Sequence, residues 1–266
     1  MTALAGLRIL VTRSRAQSND LCDKLASLGA QPILFPTIEI APMEDHTALD
    51  QAICLLSQYR WVIFTSVNGV VAFWRRLDAL RSTLHASLHV AAIGPATAGA
   101  LKKRGVRAEF IPEEYVAERI LDGIGDVSGR RILLPRADIA REALAVELTR
   151  RGAIVDEIAA YRTLPAAPDP HGLAELRRGV DAITFTSSST VRNFVALIGP
   201  SAIGHLQCAI ACIGPITAQT AREVGLPVDV MAREYTMDGL VAALAEYFFH
   251  RESRAEENRW LPARPQ

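Results

Sequence analysis

The 266-residue chain has no excess of charge of either sign, with Lys+Arg and Asp+Glu at 29 each. A neutral chain has no overall field to draw it onto nucleic acid or an anionic membrane, although charge can still be focused in a cleft. Long apolar runs are also missing. No stretch reaches the roughly 18–20 residues of a membrane span. The opening MTALAGLRILVTR reads as a first strand running into a charged helix, not as a secretory leader. Cysteine is scarce. Cys22, Cys54, Cys208 and Cys212 form no C-x-x-C pair, and the last two lie in the apolar run QCAIACIG, so they read as buried thiols in a reducing cytosol. The histidines are scattered, and His85 and His89 have no third ligand beside them, which argues against a metal site. The phosphate-loop, nucleophile-elbow and zinc-protease motifs are all absent. The nearest thing to a dinucleotide fingerprint, Gly123 and Gly125 with Gly129, precedes a strand instead of following one and reads as a linker.

What is present is an alternation. Short apolar runs (LRILVT, WVIFTS, HVAAIG, RILLPR, DAITFTS and AIACIG) are separated by amphipathic stretches such as Asn19–Leu28, Ala140–Arg150 and Val191–Ile198. Runs rich in Val, Ile and Leu suit strands buried on both faces, and their spacing suits parallel sheets with helical crossovers. Half the residues are hydrophobic, enough for two cores.

The chain also repeats itself. RILVTRSRAQSNDLCDKLASLGA at 8 resembles RILLPRADIAREALAVELTRRGA at 131. WVIFTSVNGVVAFW at 61 resembles DAITFTSSSTVRNFV at 181. IGPATAGALKKRGV at 93 resembles IGPITAQTAREVGL at 213, and EEYVAERILDGI at 113 resembles REYTMDGLVAAL at 233. The offsets stay between 120 and 123, so one ancestral unit has been duplicated. This predicts an α/β protein of two similar lobes, with its working site in the cleft between them. The segment HRESRAEENRWLPARPQ is charged and aperiodic, and residues 251–266 are expected to form a disordered tail.

Polar residues gather where the parallel strands end, the usual place for a site in such folds. Thr65, Ser66 and Asn68 follow WVIF. Thr186, Ser187, Ser188 and Ser189 follow DAITF. Thr97 follows Gly94-Pro95, and Thr217 follows Gly214-Pro215. Arg13 and Arg136 follow ILVT and ILLP. Each junction alone reads as helix capping, because Ser, Thr and Asn cap helices and proline at the first helical position wastes no N–H. Together they form two rims of N–H groups and hydroxyls, and helix N-termini favour anions by about 0.3–1 kcal/mol each. Such rims suit a ligand with several carboxylates and need no cluster of cations. Tyr161, in DEIAAYRTLP, ends a strand between the halves; from the bare sequence it is either an aromatic anchor or an O–H aimed into the cleft.

These blocks in this order (ILVTR, IFTSVNGV, AIGPATA, AYRT, TFTSSSTV, CIGPITA) resemble the uroporphyrinogen-III synthase family over about Leu7–Leu244. Ile216, where a second threonine is common, and the charged tail depart from the pattern. The resemblance implies flavodoxin-like lobes that exchange their first strand–helix units. One lobe would take residues 1–36 and 164–250, and the other residues 37–163, joined by two extended crossings. It implies a lyase that needs no metal or organic cofactor. Its substrate would be hydroxymethylbilane, a linear tetrapyrrole with eight carboxylates, which it would close with ring D inverted. It would be a cytoplasmic monomer, in at most transient contact with the preceding pathway enzyme. Tyr161 would serve as proton or hydrogen-bond donor to the departing hydroxyl. Thr65, Ser66, Asn68, Thr97, Ser187, Ser188, Ser189 and Thr217 would hold carboxylates, with Arg13 and Arg136 as helpers. The alternatives are a cytosolic two-lobe anion sensor without catalysis, or a degenerate homologue kept as an interaction module.

Overall fold

The computed structural model describes residues 3–112, 117–140 and 142–259. Every one of the six apolar runs is a strand, and the chain divides into two units. Unit 1 comprises Met1–Glu39 with Pro165–Gln266, and unit 2 is Ile40–Leu164.

The sheet of unit 1 contains β1 (Arg8–Val11), β2 (Gln31–Leu34), β8 (Ala182–Phe185), β9 (Ala209–Cys212) and β10 (Val230–Met231), in the order β10-β9-β8-β1-β2. All its pairings are parallel. The side-chain period of two divides its core cleanly. Ile9 and Val11 pack towards α1 (Asn19–Ser27) and α9 (Met237–Arg259). Leu10, Ile183 and Phe185 pack on the other face against α7 (Ser188–Ile198) and α8 (Pro215–Glu223), with α6 (Pro170–Arg177) beside them.

The sheet of unit 2 contains β3 (Ile38–Pro42), β4 (Trp61–Phe64), β5 (His89–Ala92), β6 (Arg131–Ala137) and β7 (Ile154–Pro165), in the order β3-β7-β6-β4-β5. Val62, Phe64 and Leu133 face a core shared with α2 (Thr47–Cys54), α3 (Val67–Ala79) and α4 (Pro95–Lys102). Trp61, Ile63 and Ile132 face α5 (Ala143–Arg150) and the 3-10 turn Ala117–Asp122.

The repeat and the units do not coincide. β1 and β2 come from the first copy but share a sheet with β8 and β9 of the second through the β1–β8 pair, while β6 and β7 of the second copy join β4 and β5 of the first through the β6–β4 pair. Each sheet is therefore a hybrid, and the two share the order of their four equivalent strands. A cut near Gly129, where the repeat begins again, would divide both sheets.

One expectation is corrected. The charged stretch after His250 is not irregular throughout, because α9 runs on to Arg259. Its Arg, Glu and Ala residues are strong helix formers, and an apolar period is a sign of packing that helix formation does not require. Residues 260–266 lie outside the described residues, as does Tyr115, the repeat partner of Tyr235. Among the described residues no helix is long and apolar enough to cross a membrane.

Candidate functional site

In unit 2, β4 delivers the chain to Ser66, whose extended backbone (φ −159°) places it at the N-cap of α3. Its Oγ accepts from the Gly69 N–H at 3.0 Å. Gly69 is required by close approach, since a β-carbon there would stand 2.7 Å from the Pro135 carbonyl oxygen. The start of α3 thus lies directly on β6. The same Ser66 Oγ lies 3.0 Å from the Tyr161 hydroxyl. Asn68 also bonds the phenol. Thr65 stands beside them, half-buried.

Tyr161 is only 7 % exposed and lies within β7, four residues before its end. Burial raises its pKa above the ordinary phenol value. The Ser66 and Asn68 hydrogen bonds and the charge of Arg136 pull it part of the way back, and the charge of Asp138 raises it. The phenol is therefore protonated at neutral pH and able to donate. Of the two readings left open by the sequence, the hydroxyl is engaged with polar partners while the ring packs in the α3-side core.

In unit 1 the equivalent junction is closed on itself. Ser187 caps α7 by accepting from the Thr190 N–H at 3.3 Å and lies 2.9 Å from the Ser189 hydroxyl. Thr190 Oγ1 reciprocates by accepting from the Ser187 N–H, completing a capping box. Ser188 Oγ meets Thr220 Oγ1 of α8 at 2.8 Å.

The two Gly-Pro junctions behave differently from the serine ones. α4 and α8 open at Gly94 and Gly214 with proline in the first turn, and among the described residues no side chain caps either helix. Among the described residues, no side chain at the N-cap accepts from their first-turn N–H groups, the arrangement that suits an incoming carboxylate. Thr97 and Thr217 are both buried in these first turns. Tyr235 closes over Gly214, where a β-carbon would meet its ring at 3.2 Å.

The arginines have diverged. Arg136 lies inside β6, not beyond its end, because the strand continues to Ala137. It is 5 % exposed and forms an ion pair with Glu157 of β7 at 2.5 Å. Arg13, its repeat equivalent, donates from Nη1 to Met237 Sδ at 3.2 Å and forms no ion pair among the described residues. Burial lowers its pKa and nearby Asp20 raises it.

Sequence reasoning passed over Asp138. Its backbone N–H donates to the Tyr161 carbonyl at 3.0 Å, and its Oδ1 accepts from the Thr163 N–H at 3.1 Å. The only signal in the sequence is an Asp just past a strand, which is also an ordinary turn signal.

The family model described as Uroporphyrinogen-III synthase HemD matches residues 19–242. The uroporphyrinogen-III synthase of Synechococcus elongatus is 37% identical over 254 residues, spanning 92% of this chain and 96% of its own. That of Chlorobaculum parvum is 28% identical over 90% of this chain and 98% of its own. Among solved structures, a mutant uroporphyrinogen III synthase from the extremely thermophilic bacterium Thermus thermophilus superposes with a TM-score of 0.65 at 21% identity, covering 95% of this chain and all of that one, a likeness of fold. The duplicated α/β frame, the order of its strand-end motifs and relatives that match along nearly its whole length lead to one conclusion: the chain belongs to the uroporphyrinogen-III synthase HemD family.

Proposed function

We propose that the hydroxyl cluster of unit 2, Tyr161 with Ser66 and Asn68, carries the chemistry of this uroporphyrinogen-III synthase. Hydroxymethylbilane loses its hydroxyl readily, because the pyrrole nitrogen pushes the electron pair out. Tyr161 gives its proton to the departing oxygen, water leaves, and an azafulvenium cation remains beside the tyrosinate. Bonding then runs through the substituted carbon of ring D, giving a spiro intermediate that breaks and recloses inverted. The proton released at closure restores the phenol. The observation that carries this reading is the 3.0 Å contact between the Tyr161 hydroxyl and a serine fixed at a helix N-cap, around a phenol that burial keeps protonated.

Left alone, the bilane closes directly to the type I ring, so the protein's main task is to hold the chain curled. The uncapped openings of α4 and α8 support a role in gripping carboxylates, with Thr97 and Thr217 in their first turns. Thr65, Ser187, Ser188 and Ser189 add hydroxyls, and Arg13 adds a cation that forms no ion pair among the described residues. Arg136, bound to Glu157, contributes mainly by its field on Tyr161. A non-enzymatic anion sensor is not favoured, because relatives matching along the chain carry the synthase's name. The reading extends to a cytoplasmic monomer, in keeping with four cysteines that stand as free thiols; sedimentation as a single chain tests the monomer.

Hydroxymethylbilane supplied to the purified protein without added metal or cofactor should yield mainly the type III isomer after oxidation and chromatography. Type I alone, at the protein-free rate, would refute the activity.

A further inference from the structure

Residues 160 and 161 are adjacent in a strand, yet both pack into the α3-side core, where Ile158 also lies. A regular strand would send Tyr161 to the opposite face. The reason is a register shift. Arg136 pairs with Ala159, but Ala137 pairs with Tyr161, so β7 takes one extra residue at this point. The bulge turns the phenol towards Ser66. Bulges serve this purpose beside active sites, at the cost of a locally broken ladder.

On the β6 side, and among the described residues, the strand after the bulge is held by one residue. In a parallel ladder a single partner donates to the carbonyl of one residue and accepts from the N–H two positions later. Asp138 does both, donating to the Tyr161 carbonyl and accepting from the Thr163 N–H. The second bond, however, goes to its side chain. The backbone has already entered a turn, closed by the Ala140 N–H on the Ala137 carbonyl, and the carboxylate stands in for the peptide oxygen.

We infer that Asp138 is a positioning residue for the reaction, its carboxylate prolonging the β6–β7 ladder past the bulge and so fixing where Tyr161 points. The inference rests on Tyr161 acting as the donor. It requires an acceptor at residue 138, not a charge, so Asp138→Asn should keep the function that Asp138→Ala loses.

The test compares both variants with Tyr161→Phe in steady-state and isomer assays. Asp138→Ala should lower kcat on the order of ten- to a hundredfold, the scale set by misplacing a reacting group by about an ångström. KM should stay within about twofold, since no substrate contact is removed, and the share of type I should rise. Asp138→Asn should stay within about threefold of the parent. Added to Tyr161→Phe, Asp138→Ala should cost nothing further, because there is no hydroxyl left to aim. Parent-like kcat in Asp138→Ala, or equal losses in both Asp138 variants, overturns the inference. Full activity in Tyr161→Phe overturns the underlying reading of Tyr161 instead.

A second readout does not depend on the alanine variant folding. The phenol is faced by Ser66 and Asn68 of α3, by Arg136 of β6 and by Asp138. Ultraviolet difference titration of Asp138→Asn, with Tyr161→Phe as the blank, should find the phenol ionising at lower pH than in the parent. An unmoved titration would mean the carboxylate does not stand beside Tyr161, and would refute its role.

Discussion

Arg13 and Arg136 occupy the same place in the two copies of the repeat, 123 residues apart, and they do different work. The arginine of unit 2 is buried and answered by Glu157, while that of unit 1 meets a methionine sulfur and, among the described residues, forms no ion pair. The serines after β4 and β8 diverge in the same way. Both cap their own helices, but Ser66 also meets a phenol, while Ser187 meets Ser189 of its own helix. Duplication supplied one frame twice, and substitution on that frame separated the tasks. Unit 2 sets a buried phenol against its serine, and unit 1 bonds its serines to one another and to neighbouring helix residues.

The sharpest break in this comparison is Tyr161→Phe against Ser187→Ala. The first should lower kcat about a hundredfold, within the range of a lost general acid, with the fold retained. The second removes a cap worth about 1 kcal/mol and should raise KM more than it lowers kcat. Equal kcat losses would mean that the two junctions share the chemistry.

Next in size is Arg136→Met against Arg13→Met. Removing Arg136 strands Glu157, whose side chain is 31% exposed, so the loss should fall near about 1–3 kcal/mol, below that of a fully buried pair. Thermal unfolding would show it as a drop of several degrees. Arg13→Met should cost under about 1 kcal/mol and should raise KM about tenfold, the loss expected of one charged contact. An unchanged KM would remove Arg13 from the substrate site.

The smallest effect is alkaline. Tyr59, which gives its hydroxyl proton to Asp156, is pushed up to about 12 by burial and by that partner, and burial also raises Tyr161. Both belong to unit 2. Below about pH 10, the ordinary phenol value, folded and unfolded chains alike keep these protons, and the stabilisation is fully present. Above it the unfolded chain releases them first, and stability falls through about 12 for Tyr59. Denaturant midpoints across this range should fall less steeply in Tyr59→Phe than in the parent.

Much of the frame was legible because its strands are buried on both faces, which writes them as unbroken apolar runs. The helix openings were legible because Gly-Pro, Ser and Asn leave local signals. The alternation also pointed to the strand end that carries Ser66, whereas Tyr161, read as the end of a strand, lies four residues inside β7. The partnership of Arg136 with Glu157 was hidden, because a strand that ends at Pro135 and one that ends at Ala137 look alike in RILLPRA. The bulge at Ala160 was hidden too, being a property of two strands in register and not of either one. Asp138 could not be found without it. The helical continuation to Arg259 was missed because apolar periodicity reports packing, and a charged helix can form without it.

The hybrid sheets have a consequence for how the chain is made. Arg8 donates its backbone N–H to Asp181 at 2.7 Å across 173 residues of sequence, at the root of the β1–β8 pair. At about 5–20 residues per second of synthesis, the inner edge of β1 waits roughly 10–35 s for its neighbour. The whole of Ile40–Leu164 is translated in that interval and holds all the strands of its own sheet except the start of β3 and the last residue of β7. Birth order and completion order are thus inverted, with the segment that leaves the ribosome first being finished last. An open strand edge exposed for that long is a target for wrong pairing. Protease sensitivity in chains stalled near residue 175 should therefore concentrate before residue 40.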